Sequence, residues 1–186
     1  MNIIVRPYGS RYCYCRPDTT WERENRDFYV PEGVRQLHWA PVVFVRISKA
    51  GKCIGRKFAS RYYDAVNFGA LLYCGEESGQ IAYTSCADHT SILPSPLHET
   101  GVLENLEDTF EVKKNDEVIF RHGVEGLAEK IEEAICQASK MTSVRIGDYV
   151  AVELAHAECL SSEDDGLNTI SATFCDSGLF GLKLVF

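Results

Sequence analysis

The longest hydrophobic signal in the chain runs from Leu37 to Tyr73, LHWAPVVFVRISKAGKCIGRKFASRYYDAVNFGALLY. Within it, Val42–Ile47 (VVFVRI) is β-branched and aromatic with one polar interruption, the pattern of a strand covered on both faces. Lys49-Ala50-Gly51-Lys52 then turns the chain. Arg56–Ala65 predicts a short helix with Phe58, Tyr62 and Ala65 on one face. Val66–Cys74 predicts a second buried strand, in which Gly69 permits close backbone approach.

Around this centre the pattern is mostly strand. Asn2–Val5 predicts a short edge strand, and Arg11–Asp18 (RYCYCRPD) an alternating one with Tyr and Cys on opposite sides. Trp21–Arg26 reads as a polar connector, and Pro31-Glu32-Gly33 as a turn in which Pro fixes φ and Gly permits the opposite sign. Gly75–Leu103 is punctuated by Gly and Pro and reads as loop. Thr109–Arg121 is a hairpin about Asn115-Asp116, a pair that tolerates left-handed backbone. In Val124–Ala138, apolar residues recur at Val124, Leu127, Ala128, Ile131, Ala134, Ile135 and Ala138, the spacing of an amphipathic helix. A turn at Val144–Asp148 opens the strand Tyr149–Leu154. Ser161–Asn168 is an acidic loop, and Thr169–Phe174 and Leu179–Phe186 close the chain as strands. The fold class is α+β, mostly β, in a single domain over residues 1–186, a length typical of one domain.

Composition narrows the functional classes. The chain is 45% apolar and 25% charged, enough to bury a core. A net charge of −8 disfavours sequence-independent attraction to nucleic acid, and no apolar run approaches the roughly 20 residues a bilayer requires. No nucleic-acid or membrane partner is therefore expected. MNIIVRPYGSRY lacks an apolar segment behind a basic start, so a cytoplasmic, reducing setting is expected. The eight cysteines contain no C-x-x-C and are expected to be free and mostly buried. Cys13 and Cys15, beside Arg11 and Arg16, are the candidates for activated thiols.

The order of elements resembles that of the fumarylacetoacetate hydrolase family, whose members act on 2-oxo acids and 1,3-dicarbonyl compounds at a carboxylate-bound divalent metal. MNIIV is similar to the family's opening strand. RPDTT resembles its K-P-x-T/S stretch, and DFYVPE the strand of substrate-side aromatics that follows. HWAPVVFVRISKAGKCI resembles H-Y-E-x-E-L-x-x-x-I with its hairpin, and SRYYDAVNFGALLY the helix and strand after it. FEVKKNDEVI resembles the V-N-G-x hairpin, and SVRIGDYVAVEL the L-x-x-G-D strand. The resemblance is co-linear along nearly the whole chain. It implies a mixed β-roll or sandwich with one long amphipathic helix and one short one, commonly paired as a homodimer.

The same resemblance locates the chemistry, and there the residues change. Family members hold a hard cation such as Mg²⁺, Mn²⁺ or Ca²⁺ on three carboxylates, oxygen ligands that suit it. The two carboxylates of E-x-E fall here on Ala40 and Val42, and the third falls at about Leu71. The family's catalytic Lys falls near Thr84–Ser85, with Asp88 matching the Asp that follows it. The G-T-P-x-G loop becomes Glu153–Ala157 (ELAHA), and the His/Glu lid after the opening strand is shortened away. The expectation is a protein without a metal cofactor and without the family's reaction, acting in binding or interaction. A small carboxylate ligand or an intact paralogue is the partner that fits. The competing expectation is a relocated, metal-free site for a 2-oxo-acid or 1,3-dicarbonyl hydrolase, lyase or isomerase. Its candidate residues are Asp88, His89, Glu153 and His156, with His98-Glu99 behind them, since a His and a carboxylate together do acid–base work near neutral pH.

Overall fold

The structure, a computed structural model, describes residues 1–75 and 81–186, with residues 81 and 82 described by backbone alone. The chain runs β1 (Ile3–Arg6), β2 (Tyr14–Arg16), β3 (Trp21–Glu22), β4 (Phe28–Tyr29), β5 (Gln36–Ile47), α1 (Arg56–Ala59), β6 (Tyr63–Cys74) and α2 (Ile81–Thr84). It continues through β7 (Ser91–Ile92), β8 (His98–Glu99), β9 (Thr109–Lys114), β10 (Glu117–Gly123), α3 (Leu127–Met141), β11 (Tyr149–Glu153), β12 (Glu158–Ser162), β13 (Asn168–Phe174) and β14 (Ser177–Val185). Among the described residues no helix is long and apolar enough to cross a membrane.

Two sheets form among these residues. The nine-stranded sheet has the path β2-β1-β11-β5-β6-β7-β3, with β12 on β5 and β8 on β6; the five-stranded sheet has the order β10-β9-β13-β14-β4. β5 and β6 are the paired centre of the larger sheet, in one register from Leu37↔Cys74 to Arg46↔Ala65, with a shift before Ile47↔Tyr63. Their period of two sends side chains to both faces. Trp39, Val43, Val45, Val66, Phe68 and Leu72 pack toward the smaller sheet and α3, where Phe110, Phe174, Leu182, Ile131 and Ile135 complete the main core. Ala40, Val42, Phe44, Leu71 and Tyr73 pack on the opposite face into a second apolar cluster. A strand buried on both sides has no polar alternation to show, which is why VVFVRI reads as it does.

The larger sheet is rolled up, and chain length proves it. β2 and β3 are the two ends of its seven-strand path, yet only residues 17–20 separate them. Laid flat, seven strands at about 4.8 Å spacing would put those ends about 29 Å apart. Five residue steps reach at most about 18 Å. The sheet must therefore curl until its ends nearly meet, and the second cluster lies inside that curl.

Several expectations change on contact with the structure. The opening strand is not an edge, because β2 adds antiparallel to its outer side while β11 runs parallel on the other. Trp21–Glu22 is no connector; it pairs with Ser91–Ile92, a neighbour brought within reach only by the curl. The helix predicted over Arg56–Ala65 stops at Ala59, since Tyr63 already belongs to β6 and Phe58 is left exposed. α3 starts at Leu127 because Gly126 sits at φ +71°, and it runs on to Met141. Of the thiols only Cys74 and Cys136 are buried; Cys15, Cys53, Cys86, Cys159 and Cys175 are exposed, two of them on left-handed turns. Burial pushes the Cys13 thiol up to about 11 against the lowering effect of Arg6, and partial burial with the Asp148 carboxylate raises Cys15, so neither thiol is activated. Within Gly75–Leu103, residues 76–80 lie outside the described residues, and β7 and β8 interrupt what reads as loop.

Other elements stand where the sequence puts them. Asn115 and Asp116 take φ +49° and +67°, the doubly left-handed turn that a two-residue hairpin requires. Val34 N donates to Pro31 O at 3.1 Å around Gly33, whose φ is +84°. At Gly69 a Cβ would lie 2.2 Å from the Ile92 carbonyl oxygen, so β6 and β7 approach only because that residue has no side chain. Gly69→Ala is expected to force the two strands apart and cost about 1–3 kcal/mol, read as a lower urea midpoint at unchanged slope.

Candidate functional site

The candidate site lies inside the roll. Register alone puts its members on one face: Ala40 opposes Leu71, Val42 opposes both Gly69 and Glu153, and His38 opposes Tyr73. On the far side Ile3 opposes Tyr149 and Arg16, and Val5 opposes Ala151 and Tyr14. Ala40, Val42 and Leu71 sit together with zero exposure, walled by Ile3, Val5, Leu93 and Tyr149. Zero exposure at all three means that no water-sized void touches them.

A polar network lines one rim of this apolar interior, while Asn67, farther along the same face of β6, bonds to the Pro94 and Pro96 carbonyls. Arg16 is 1% exposed, and its Nη1 donates across the roll to the carbonyls of Leu72 at 3.1 Å and Thr90 at 3.2 Å. Its guanidinium carbon lies 4.5 Å from the centre of the Tyr73 ring, and among the described residues Nη2 has no oxygen or nitrogen partner, leaving it to the aromatic faces. Nε donates to the Tyr14 hydroxyl at 3.3 Å, which lies 2.8 Å from the Tyr73 hydroxyl. Tyr73 donates to Glu153 Oε1, and the Tyr8 backbone N–H donates to Oε2 at 2.9 Å. A buried cation and a buried carboxylate are thus joined through two phenols. Burial raises the Glu153 pKa, against the lowering effect of the bonds from Tyr73 and Tyr8 and of Arg16. Burial likewise raises both tyrosines. For Arg16 burial acts downward, and the contacts with Tyr14 and Tyr73 outweigh it.

The sequence candidates scatter rather than converge. Glu153 is the one that enters the interior. His156 is exposed and meets the edge of the Tyr8 ring at 4.7 Å between centroids. His89 is half-exposed, and its Nδ1 lies 2.9 Å from Glu22 Oε2; its partner is Glu22, not the exposed Asp88 beside it. His98 packs on Phe174 in the main core side, with Glu99 exposed. Thr84 and Ser85 are buried. Among the described residues no group of three or more His, Cys, Asp or Glu side chains is placed to hold a metal ion. Arg16, Tyr14 and Tyr73 escaped sequence reasoning. The signal was the two-residue spacing of Tyr14 and Arg16, which puts both on one face, but their partners are 56 to 75 residues away.

A charge test follows from the raised Glu153 pKa. The folded state holds the Glu153 proton more tightly than the unfolded chain, so its stabilising contribution is full below the ordinary carboxylate range and is lost as pH rises through the folded value. Glu153→Gln removes that dependence. In urea denaturation across mildly acidic to neutral pH, the wild type is expected to lose stability relative to Glu153→Gln as pH rises; a difference that stays constant with pH would contradict it.

With this geometry in hand, comparison with known proteins is informative about fold. No protein-family model matches the sequence, and no curated protein matches it. Solved structures do match. The crystal structure of fumarylpyruvate hydrolase from Pseudomonas aeruginosa in complex with Mn²⁺ and pyruvate aligns with a TM-score of 0.80 at 12% identity, over 100% of this chain and 88% of that one. 5-carboxymethyl-2-hydroxymuconate delta-isomerase from Mycobacterium smegmatis gives 0.77 at 16%, over 99% and 78%. A protein of Yersinia pestis CO92 assigned to the fumarylacetoacetate hydrolase family gives 0.78 at 12%, over 99% and 91%. End to end, the chain has the fold of fumarylacetoacetate hydrolase family proteins.

Proposed function

We propose that this protein is a non-catalytic relative of those hydrolases and isomerases, a binding or interaction protein that works without a metal and pairs as a homodimer in the cytoplasm. The observation that carries the reading is the interior of the roll. The three positions that sequence resemblance assigns to metal carboxylates are Ala40, Val42 and Leu71, and they are packed together with zero exposure. An alkyl group offers a hard cation no lone pair. The one carboxylate of that face among the described residues, Glu153, is already bonded by Tyr73 and Tyr8. The nearby charge is the cationic Arg16, which repels a second cation in a low-dielectric setting. The residues present therefore do not fit a divalent metal. The same packing leaves no room above Leu71 for a substrate to lie against the sheet.

The test is thermal shift and turnover together. Mg²⁺, Mn²⁺ and Ca²⁺ at millimolar concentration are expected to leave Tm unchanged, because a ligand specific to the native state must raise it. A panel of 2-oxo and 1,3-dicarbonyl acids is expected to show no turnover with or without them. Metal-dependent turnover would overturn the reading. Metal-independent turnover abolished in Glu153→Gln would replace it with an acid–base enzyme centred on Glu153.

A further inference from the structure

We infer that the face made by residues 48–61 and 140–146 is a docking surface for an anionic lipid membrane, a peripheral contact that reverses the sequence expectation of no membrane partner, which rested on overall charge and the lack of a spanning run. The inference is independent of whether the interior of the roll has kept any catalysis. Arg46 to Arg61 carries six basic residues and no acidic one, in a chain with 27 acids against 19 Lys and Arg. Folding adds more of the same sign. Gly51 and Val144 form an antiparallel bridge with N–O distances of 3.0 and 2.9 Å, and Cys53 N and Ile54 N bond to Ser139. Those bonds set Lys140 and Arg145 beside the turn that carries Lys49 and Lys52.

A solvated charge run would be laced with counter-ions from its own surface, and among the described residues most of this one is not. Arg46 and Arg56 pair with Asp64 and Glu129. Lys49, Lys52, Lys57, Arg61, Lys140 and Arg145 are exposed and make no ion pair among the described residues. Apolar side chains stand among them: Met141 is 82% exposed, Ile146 72% and Phe58 42%. Each is next to a cation in sequence, and the Phe58 ring has Lys57 Nζ at 4.8 Å and the Arg61 guanidinium at 5.5 Å from its centre. Cations beside protruding apolar groups match a bilayer surface, with anionic headgroups outside and acyl chains just beneath. Protein interfaces deplete lysine, which supplies four of the six free cations here. Nucleic acid would reward stacking rings and base-edge donors rather than Met and Ile. Glu132 and Glu133, on α3, act on Cys136 beside Lys140 and Arg56; at physiological salt the Debye length is about 8 Å, so acids farther away than that are largely screened from this face.

The test is sedimentation of the full chain with large vesicles of phosphatidylcholine alone or with phosphatidylserine added. Pelleting is expected only with phosphatidylserine, and is expected to fall steeply with added salt. Lys52→Glu with Arg145→Glu should lower the bound fraction more than about tenfold, given the contribution of each cation near such a surface. Phe58→Ser, Met141→Ser and Ile146→Ser together keep the charge and should weaken binding several-fold. All five residues are exposed, so circular dichroism and Tm should match the wild type. Absence of pelleting overturns the inference, as does pelleting that ignores the charge reversal. Binding to soluble polyglutamate but not to vesicles also overturns it, in favour of an acidic protein partner.

Discussion

Closure of the larger sheet is the constraint on which the rest of the structure depends, and Arg16 is its clasp. A guanidinium with 1% exposure has surrendered its hydration, a cost of several kcal/mol unless other groups replace the water. Here main-chain carbonyls of Leu72 and Thr90 accept from Nη1, and the Tyr73 ring covers the cation. Those partners sit on β6 and beside β7, four and five strands away along the sheet from β2, which carries Arg16. The contact exists only when the roll is closed. Thr20 Oγ1 on Ser91 Oγ at 2.9 Å and Trp21 Nε1 on the Leu93 carbonyl at 3.0 Å fasten the same seam.

Closure decides what the interior can do. It converts one face of β5 and β6 from a surface into a second core, and every residue that points there must pack. Alanine, valine and leucine satisfy that demand at positions 40, 42 and 71; carboxylates there would need a cation to neutralise them. The polar remainder is a string from Arg16 through Tyr14 and Tyr73 to Glu153, with a charge of each sign at its ends. Fold neighbours include a hydrolase crystallised with Mn²⁺ and pyruvate. In this chain the positive charge inside the roll is that of Arg16.

How much was legible in the sequence follows from which interactions are local. The two-faced burial of β5 and β6 shows as unbroken hydrophobicity, the Asn115-Asp116 turn and the close approach at Gly69 show as single residue choices, and α3 shows as periodicity. Its start did not, because Gly126 rather than the apolar spacing sets it. The curl leaves no local trace, so everything that depends on it was hidden: the inner position of β1, the pairing of Trp21–Glu22 with Ser91–Ile92, and the reach of Arg16. Glu153 was legible as a candidate from its neighbour His156, yet its real partners, Tyr73 and Tyr8, are 80 and 145 residues away. His89 and Asp88 looked like a pair because they are adjacent, but backbone at φ +62° turns His89 to Glu22 instead.

We propose that packed alkyl groups, held by the closed roll, stand at the three positions that sequence resemblance assigns to metal-binding carboxylates. The most direct measurement is anomalous diffraction from a crystal of the protein soaked in Mn²⁺. The account predicts no manganese peak beside Ala40, Val42 and Leu71, with Glu153 still held by Tyr73. A peak at that place, with Glu153 turned toward it, would contradict the account.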